Sequence, residues 1–206
     1  MITLVQQQYL TFDEFLVRYG DDDRYELIDG ELFNLEPTGP HEEVIAFISQ
    51  QINVEIVRQD LDFFIPHHCL IKPLGPNTGF RPDVIVLDRA ELSKEPLWSR
   101  EPIVTLPRTI KFVAEVVSSN WQNDYARKVE DYALLGIPEF WIVDYAGLGG
   151  EDFIGRPKQP TLTICTLVND RYQKQIFRGE DVVVSTVFPA LELTAVQVLN
   201  TKRKSQ

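Results

Sequence analysis

Four side chains could carry chemistry in this sequence: Glu26, Asp83, Glu115 and Lys128. Glu115 sits in KFVAEVV, where Phe112, Ala114 and Val116 on one alternation and Val113 and Val117 on the other are all apolar, the pattern of a strand covered on both faces. An ionised carboxylate there is costly unless a cation or hydrogen-bond donors meet it. Lys128 is the candidate cation. On the helix expected after the strand, it falls roughly 60° from the centre of the apolar stripe of Tyr125, Val129 and Tyr132, and so leans along the buried flank. Arg127 falls nearly opposite that stripe and is expected to be solvated. Asp83 follows Pro82 at the mouth of another strand, and Glu26 lies on a hairpin arm. Carboxylates around a lysine either neutralise one another or make a working site.

The elements that must position them are legible in order. Thr11 and Glu14 have capping-box spacing, with Leu10 and Phe15 as a staple, so a short helix should run from Phe12 to Tyr19. Asp29-Gly30 between alternating segments signals a hairpin with a type I′ turn, Glu26 and Ile28 facing one way, Tyr25 and Leu27 the other. Ile45, Ile48, Ile52 and Ile56 give an amphipathic helix from His41 to Val57. Phe63 to Ile71 reads as a strand at an edge or with a bulge, because Pro66 interrupts it. Arg81 to Asp88 is a strand with its proline at the start.

Residues 89–108 carry no period and read as an excursion that forms a flap. The central unit is a strand from Phe112 to Val117, a helix capped by Asn123 or Asp124 and stopped at Gly136, and a strand from Phe140 to Tyr145, the order that makes parallel neighbours. Residues 146–160, with four glycines and two prolines, are expected to be loop. TLTICTL, RYQKQIF and DVVVSTVF then suggest an antiparallel β extension, and TKRKSQ a frayed tail.

A chain of 206 residues can bury one sizeable core, and nothing demands division, so residues 1–206 are expected to form a single domain. No apolar run approaches the ~20 residues of a membrane span, and MITLVQQQYLTFDEF lacks the build of a signal peptide, which points to a cytoplasmic protein with no membrane partner. Cys69 and Cys165 fit buried reduced thiols better than a disulfide framework. The net charge of −11 argues against broad attraction to nucleic acid, so any polyanion must meet a local basic patch or bound metal ions.

The ordered set YELIDGEL, a helix opening with His41, RPDVIVLD, FVAEVVS, Asp124-x-x-x-Lys128 and GIPEFWIVD resembles the Uma-two endonuclease family within the PD-(D/E)XK restriction-endonuclease-like superfamily, over roughly residues 9–200. The resemblance implies an α/β fold with a mixed sheet. Its core would be a helix, three-stranded meander, helix and strand, with an N-terminal hairpin and a C-terminal β extension. It also implies a Mg²⁺- or Mn²⁺-dependent endonuclease acting on nucleic acid, DNA first, with Asp83 and Glu115 as metal ligands. The motif's lysine is missing, since position 117 is Val117; Lys128 on the following helix is the replacement, and Glu26 matches the glutamate of the hairpin motif. Such a set suits phosphodiester hydrolysis, which needs a hydroxide near phosphorus and neutralisation of the charge that builds on oxygen.

Other readings of the same residues stand beside this one. Asp83 could end a loop, Glu115 and Lys128 could form a structural ion pair, and Glu26 could be a surface charge on the hairpin. His41 is either a site-edge residue or a polar helix start. His67, His68 and Cys69 form a weak transition-metal candidate, because neighbours on a strand alternate faces. Three function classes follow: a Mg²⁺-dependent nuclease, an inactive nuclease-like fold that binds nucleic acid or protein, and an enzyme acting on another small phosphoester. A double-strand cut needs two sites, so the nuclease reading carries a homodimer with it, the flaps pairing to build a joint cleft.

Overall fold

A computed structural model describes residues 9–35 and 37–200. The expected frayed tail, residues 201–206, lies outside the described residues. In chain order the elements are α1 (Phe12–Tyr19), β1 (Tyr25–Ile28), β2 (Glu31–Asn34), α2 (Gly39–Arg58), β3 (Phe63–Phe64), β4 (Leu70–Ile71), β5 (Val84–Asp88), β6 (Ile103–Val104), β7 (Ile110–Val116), α3 (Lys128–Leu135), β8 (Glu139–Asp144), α4 (Glu151–Ile154), β9 (Thr161–Val168), β10 (Arg171–Phe177) and α5 (Ala195–Leu199).

A six-stranded mixed sheet in the order β10-β9-β8-β7-β5-β3 forms the centre. Strands β3, β5 and β7 are the antiparallel meander, and α3 then carries the chain to β8, which lies parallel to β7 with Glu115 opposite Ile142. Each sheet face has its own cover. Val44, Ile48, Ile52 and Ile56 of α2 pack with Phe112, Ala114 and Val116, whereas Tyr132 and Leu135 of α3 pack with Val113, Val117 and Phe140. Both alternating sets of β7 are therefore buried, and Glu115 faces α3.

Local signals fix the ends of several elements. The capping box of Thr11 and Glu14 is formed, and Asp29 (φ 52°) and Gly30 (φ 85°) make the left-handed pair of a type I′ turn. Asn169 and Asp170 (φ 50° and 59°) do the same between β9 and β10. Gly136 ends α3 at φ 84°. Cys69 and Cys165 are free, buried thiols. No helix among the described residues is long and apolar enough to cross a membrane.

Several expectations need correction. The strand expected from Phe63 to Ile71 is two, divided around Pro66: β3 is the sheet edge, and β4 pairs in parallel with β6. That pairing also removes the flap. Residues 89–108 are fastened by β6, by Trp98 edge-on to Phe64, and by Glu95, which accepts from the Thr105 and Leu106 N–H groups. Within the expected loop at 146–160 lies the single turn α4.

The C-terminal hairpin joins the main sheet through β9 and β8, and DVVVSTVF adds only one bridge, Val182 to Thr194. Its backbone is held by a side chain instead. Glu139, fully buried, accepts from the Thr186 and Val187 N–H groups, the Ser185 and Thr186 hydroxyls and the Trp141 indole. Five donors satisfy that carboxylate, so it is a structural clasp.

Candidate active site

The site forms where two strands part. The β5 to β7 ladder ends at Val84 opposite Ala114, and the next pair in register would be Asp83 opposite Glu115. Beyond that point the strands separate, so the peptide groups of Val116 that would face β5 need other partners. Asp83 Oδ2 accepts the Val116 N–H at 2.6 Å, and His41 Nε2 donates to the Val116 carbonyl at 2.8 Å. A carbonyl only accepts, so the His41 proton is on Nε2. Asp83 therefore does more than end a loop, and His41 combines both expected roles: first turn of α2 and edge of the site.

Glu115 is 3% exposed. Its Oε1 accepts from the Tyr132 hydroxyl at 2.7 Å, and its Oε2 lies 3.0 Å from Lys128 Nζ. Lys128 is equally buried and also approaches Glu26 and Asp124, each at 3.4 Å. Glu26 is thus an inward member of the cluster; its Oε2 also accepts the Arg81 N–H at 3.4 Å. Arg81 fastens the hairpin over the mouth of β5, its guanidinium reaching the carbonyls of Gly20 at 2.7 Å and Tyr25 at 2.9 Å.

A π-helical turn from Asn123 to Arg127 decides the placement on the helix. The Lys128 N–H bonds to the Asn123 carbonyl five residues back, so the turn holds more residues than an α-helical one and the 100° wheel fails there. Two expectations fail with it. Helix already begins at Trp121, so neither Asn123 nor Asp124 is its cap, and Asp124 points inward. Arg127 is not a free solvated charge, since it pairs with Asp29 of the hairpin turn at 2.8 Å and with Asp131 at 3.0 Å.

The electrostatics follow from burying more carboxylates than cations. Burial pushes Asp124 up to about 7 against the pull of Lys128; burial and the Glu115 charge raise Glu26 and Asp83 as well. Burial works against the charge of Lys128, but Glu115, Glu26 and Asp124 outweigh it and raise its pKa, so the lysine is an ammonium. Burial lowers the pKa of His41 and keeps it neutral.

All six groups line one cavity of about 210 Å³, together with Ser118, Ser119 and Asn120. Its donors are carboxylate oxygens, which suit a hard divalent cation. Among the described residues no three His, Cys, Asp or Glu side chains stand ready to hold one ion; Asp83 and Glu115, neighbours in the continued register of β5 and β7, are the two carboxylates that would hold one, with water and substrate oxygen completing its shell. The same observation disposes of His67, His68 and Cys69 as a three-ligand centre.

Two members of this site are not read as such from the sequence: Asp124 reads there as one of two candidate caps and Tyr132 only as apolar surface, while His41, expected at the site edge or the helix start, carries no sign of its contact with Val116. The Asp124-x-x-x-Lys128 spacing was a usable signal for the first.

No curated protein gives a significant match to the chain. A crystal structure from Anabaena variabilis, described as "a putative nuclease belonging to DUF820", superposes with a TM-score of 0.68 at 17% identity, covering 92% of this chain and 97% of that one. At that identity the likeness speaks for the fold. The family model Uma2, described as "Putative restriction endonuclease", matches residues 12–196, nearly the whole chain, and the protein therefore belongs to the Uma2 family.

Proposed function

We propose that this protein is a metal-dependent endonuclease that hydrolyses phosphodiester bonds of nucleic acid, DNA first, with Asp83 and Glu115 holding Mg²⁺ or Mn²⁺. The observation that carries the reading is the excess of carboxylate over cation at the parting of β5 and β7: Glu26, Glu115 and Asp124 surround one ammonium, and Asp83 lines the same cavity beside them. Protonation relieves that excess in part, as the raised pKa values of Glu26, Asp83 and Asp124 express, and a divalent cation in the cavity would relieve it with the carboxylates ionised. The family match and the description of the Anabaena protein as a nuclease support the same class of chemistry.

A bound divalent ion would supply charge neutralisation at the phosphate and a source of hydroxide near neutral pH. The chain's own groups do the rest. Lys128, held as an ammonium, offers its charge to a non-bridging phosphate oxygen or orients the attacking water. Tyr132 and Lys128 fix the two oxygens of Glu115, the Val116 N–H fixes Asp83, and Glu26 and Asp124 hold the lysine in place. The buried floor keeps the local dielectric low, which strengthens each of these interactions.

The competing reading is an inactive nuclease-like binding module. It is favoured by Val117 in place of a lysine and by the three-fold engagement of Lys128. Nicking of supercoiled plasmid in Mn²⁺ separates the two, with wild type compared against Asp83→Asn and Glu115→Gln. Loss of nicking in both variants supports the enzyme. Nicking at the same rate in all three proteins, or in none, rejects it. Cutting both strands calls for two copies of the site, so a homodimer goes with this reading; light scattering at micromolar concentration with and without DNA tests it. We place the protein in the cytoplasm, and fractionation of cells expressing it checks that placement.

A further inference from the structure

A second cavity, about 360 Å³, adjoins the first and shares Leu35, Pro37, Arg81 and Asp83 with it, so that one trough runs from Lys128 to His67 and His68. The two imidazoles are exposed and lie at the far end with ring centroids 3.9 Å apart and planes tilted by 49°, so that a planar guest meets the face of one ring and the edge of the other. We propose that this arm of the trough is a subsite for one unpaired nucleobase of the substrate strand, stacked on one of the His67 and His68 rings with the other at its edge; the inference rests on the nuclease reading above.

The charge balance selects the base over the phosphate. Two arginines, Arg24 and Arg81, line the arm against three carboxylates, Asp23, Glu42 and Asp83. Both arginines already have partners: Arg24 lies 2.6 Å from Asp22, and Arg81 binds carbonyls and Asp23. His68 Nδ1 is 2.7 Å from Asp23 Oδ2, which fixes that ring. A phosphate would gain little here, whereas an uncharged planar base gains an aromatic face and the apolar walls of Pro37 and Pro66. Glu42, largely exposed, is an acceptor for an amino group on a base edge. The volume suits one nucleotide, so a base that enters must be unpaired, from a single strand or turned out of a duplex. A strand seated so would present its phosphate at Asp83, where the arms join.

The test is binding of short labelled single strands of DNA and RNA, and of the same sequence as a duplex, followed by anisotropy in Ca²⁺. The proteins are wild type, His67→Ala/His68→Ala and the milder His67→Gln/His68→Gln, which keeps polarity but no ring. The subsite predicts that wild type prefers a single strand and that both variants lose about tenfold or more of that affinity, as loss of one stacked base does, at unchanged melting temperature. Equal affinity in wild type and variants, with plasmid nicking intact, overturns the subsite and leaves the nuclease standing. Binding of no nucleic acid by wild type overturns both.

Discussion

The Lys128 ammonium lies 3.0 Å from the Glu115 carboxylate, both are almost wholly buried, and the same ammonium is shared with Glu26 and Asp124. Lys128→Ala leaves three carboxylates without their cation. It should destabilise the metal-free protein by roughly 3 to 5 kcal/mol. Mg²⁺ should restore much of that loss, because it replaces the charge, and should not restore cleavage, because the ion lacks the placement of the lysine. Melting curves and nicking rates read both; a variant that regains wild-type cleavage in Mg²⁺ denies Lys128 a catalytic role. Arg127→Ala, which breaks half-exposed pairs, should cost no more than about 1 kcal/mol and less at high salt.

Divalent ions should stabilise the wild type through the folded state alone. At a hundred times the dissociation constant the gain is about 2.7 kcal/mol. Glu115→Gln should lose most of it. Calorimetric titration of Mn²⁺ into both proteins checks the assignment, and equal binding would remove Glu115 from the ligand set.

Asp124 makes stability depend on pH. Its folded pKa is raised from 3.8 to about 7, so below about pH 4 it is protonated in both states and costs nothing. As pH rises toward 7 the unfolded chain releases that proton first, and the folded state loses stability. Melting temperature should therefore fall from pH 4 to 7, and Asp124→Asn should flatten the fall. A variant with the slope of the wild type would show that other groups set it.

Tyr132→Phe removes one hydroxyl that donates to a buried carboxylate at 2.7 Å. A loss of about 1.5 to 3 kcal/mol is expected, the usual value of a hydrogen bond to a charged group. Glu115 should also lose its fixed rotamer, so nicking should slow with little change in DNA affinity. Unchanged nicking would make Tyr132 purely structural.

Glu139→Ala is the structural counterpart. It frees five donors and should destabilise by more than about 3 kcal/mol while leaving Mn²⁺ affinity of the folded protein unchanged, since Glu139 lines neither arm of the trough. Weakened Mn²⁺ binding at a temperature where the variant is folded would contradict that separation.

The sequence alone determined what rests on local chemistry and on period. The α1 capping box, the type I′ turn at Asp29-Gly30, the stop at Gly136 and the doubly covered strand around Glu115 follow from residues within a few positions of each other. The need of Glu115 for a cation also followed from the sequence, because a carboxylate between apolar neighbours on both alternations admits few solutions. Tertiary structure decided what depends on partners far along the chain. The β4 to β6 pairing that fastens residues 89–108, the clasp of Glu139 on residues 185–187 and the contact of His41 with Val116 join segments whose separation leaves no periodic trace. The π turn is the sharpest case: between a helix start at Trp121 and α3 it changes the angle per residue, Asp124 lies inward and Arg127 meets the hairpin, and a helical wheel built on a constant angle cannot register it.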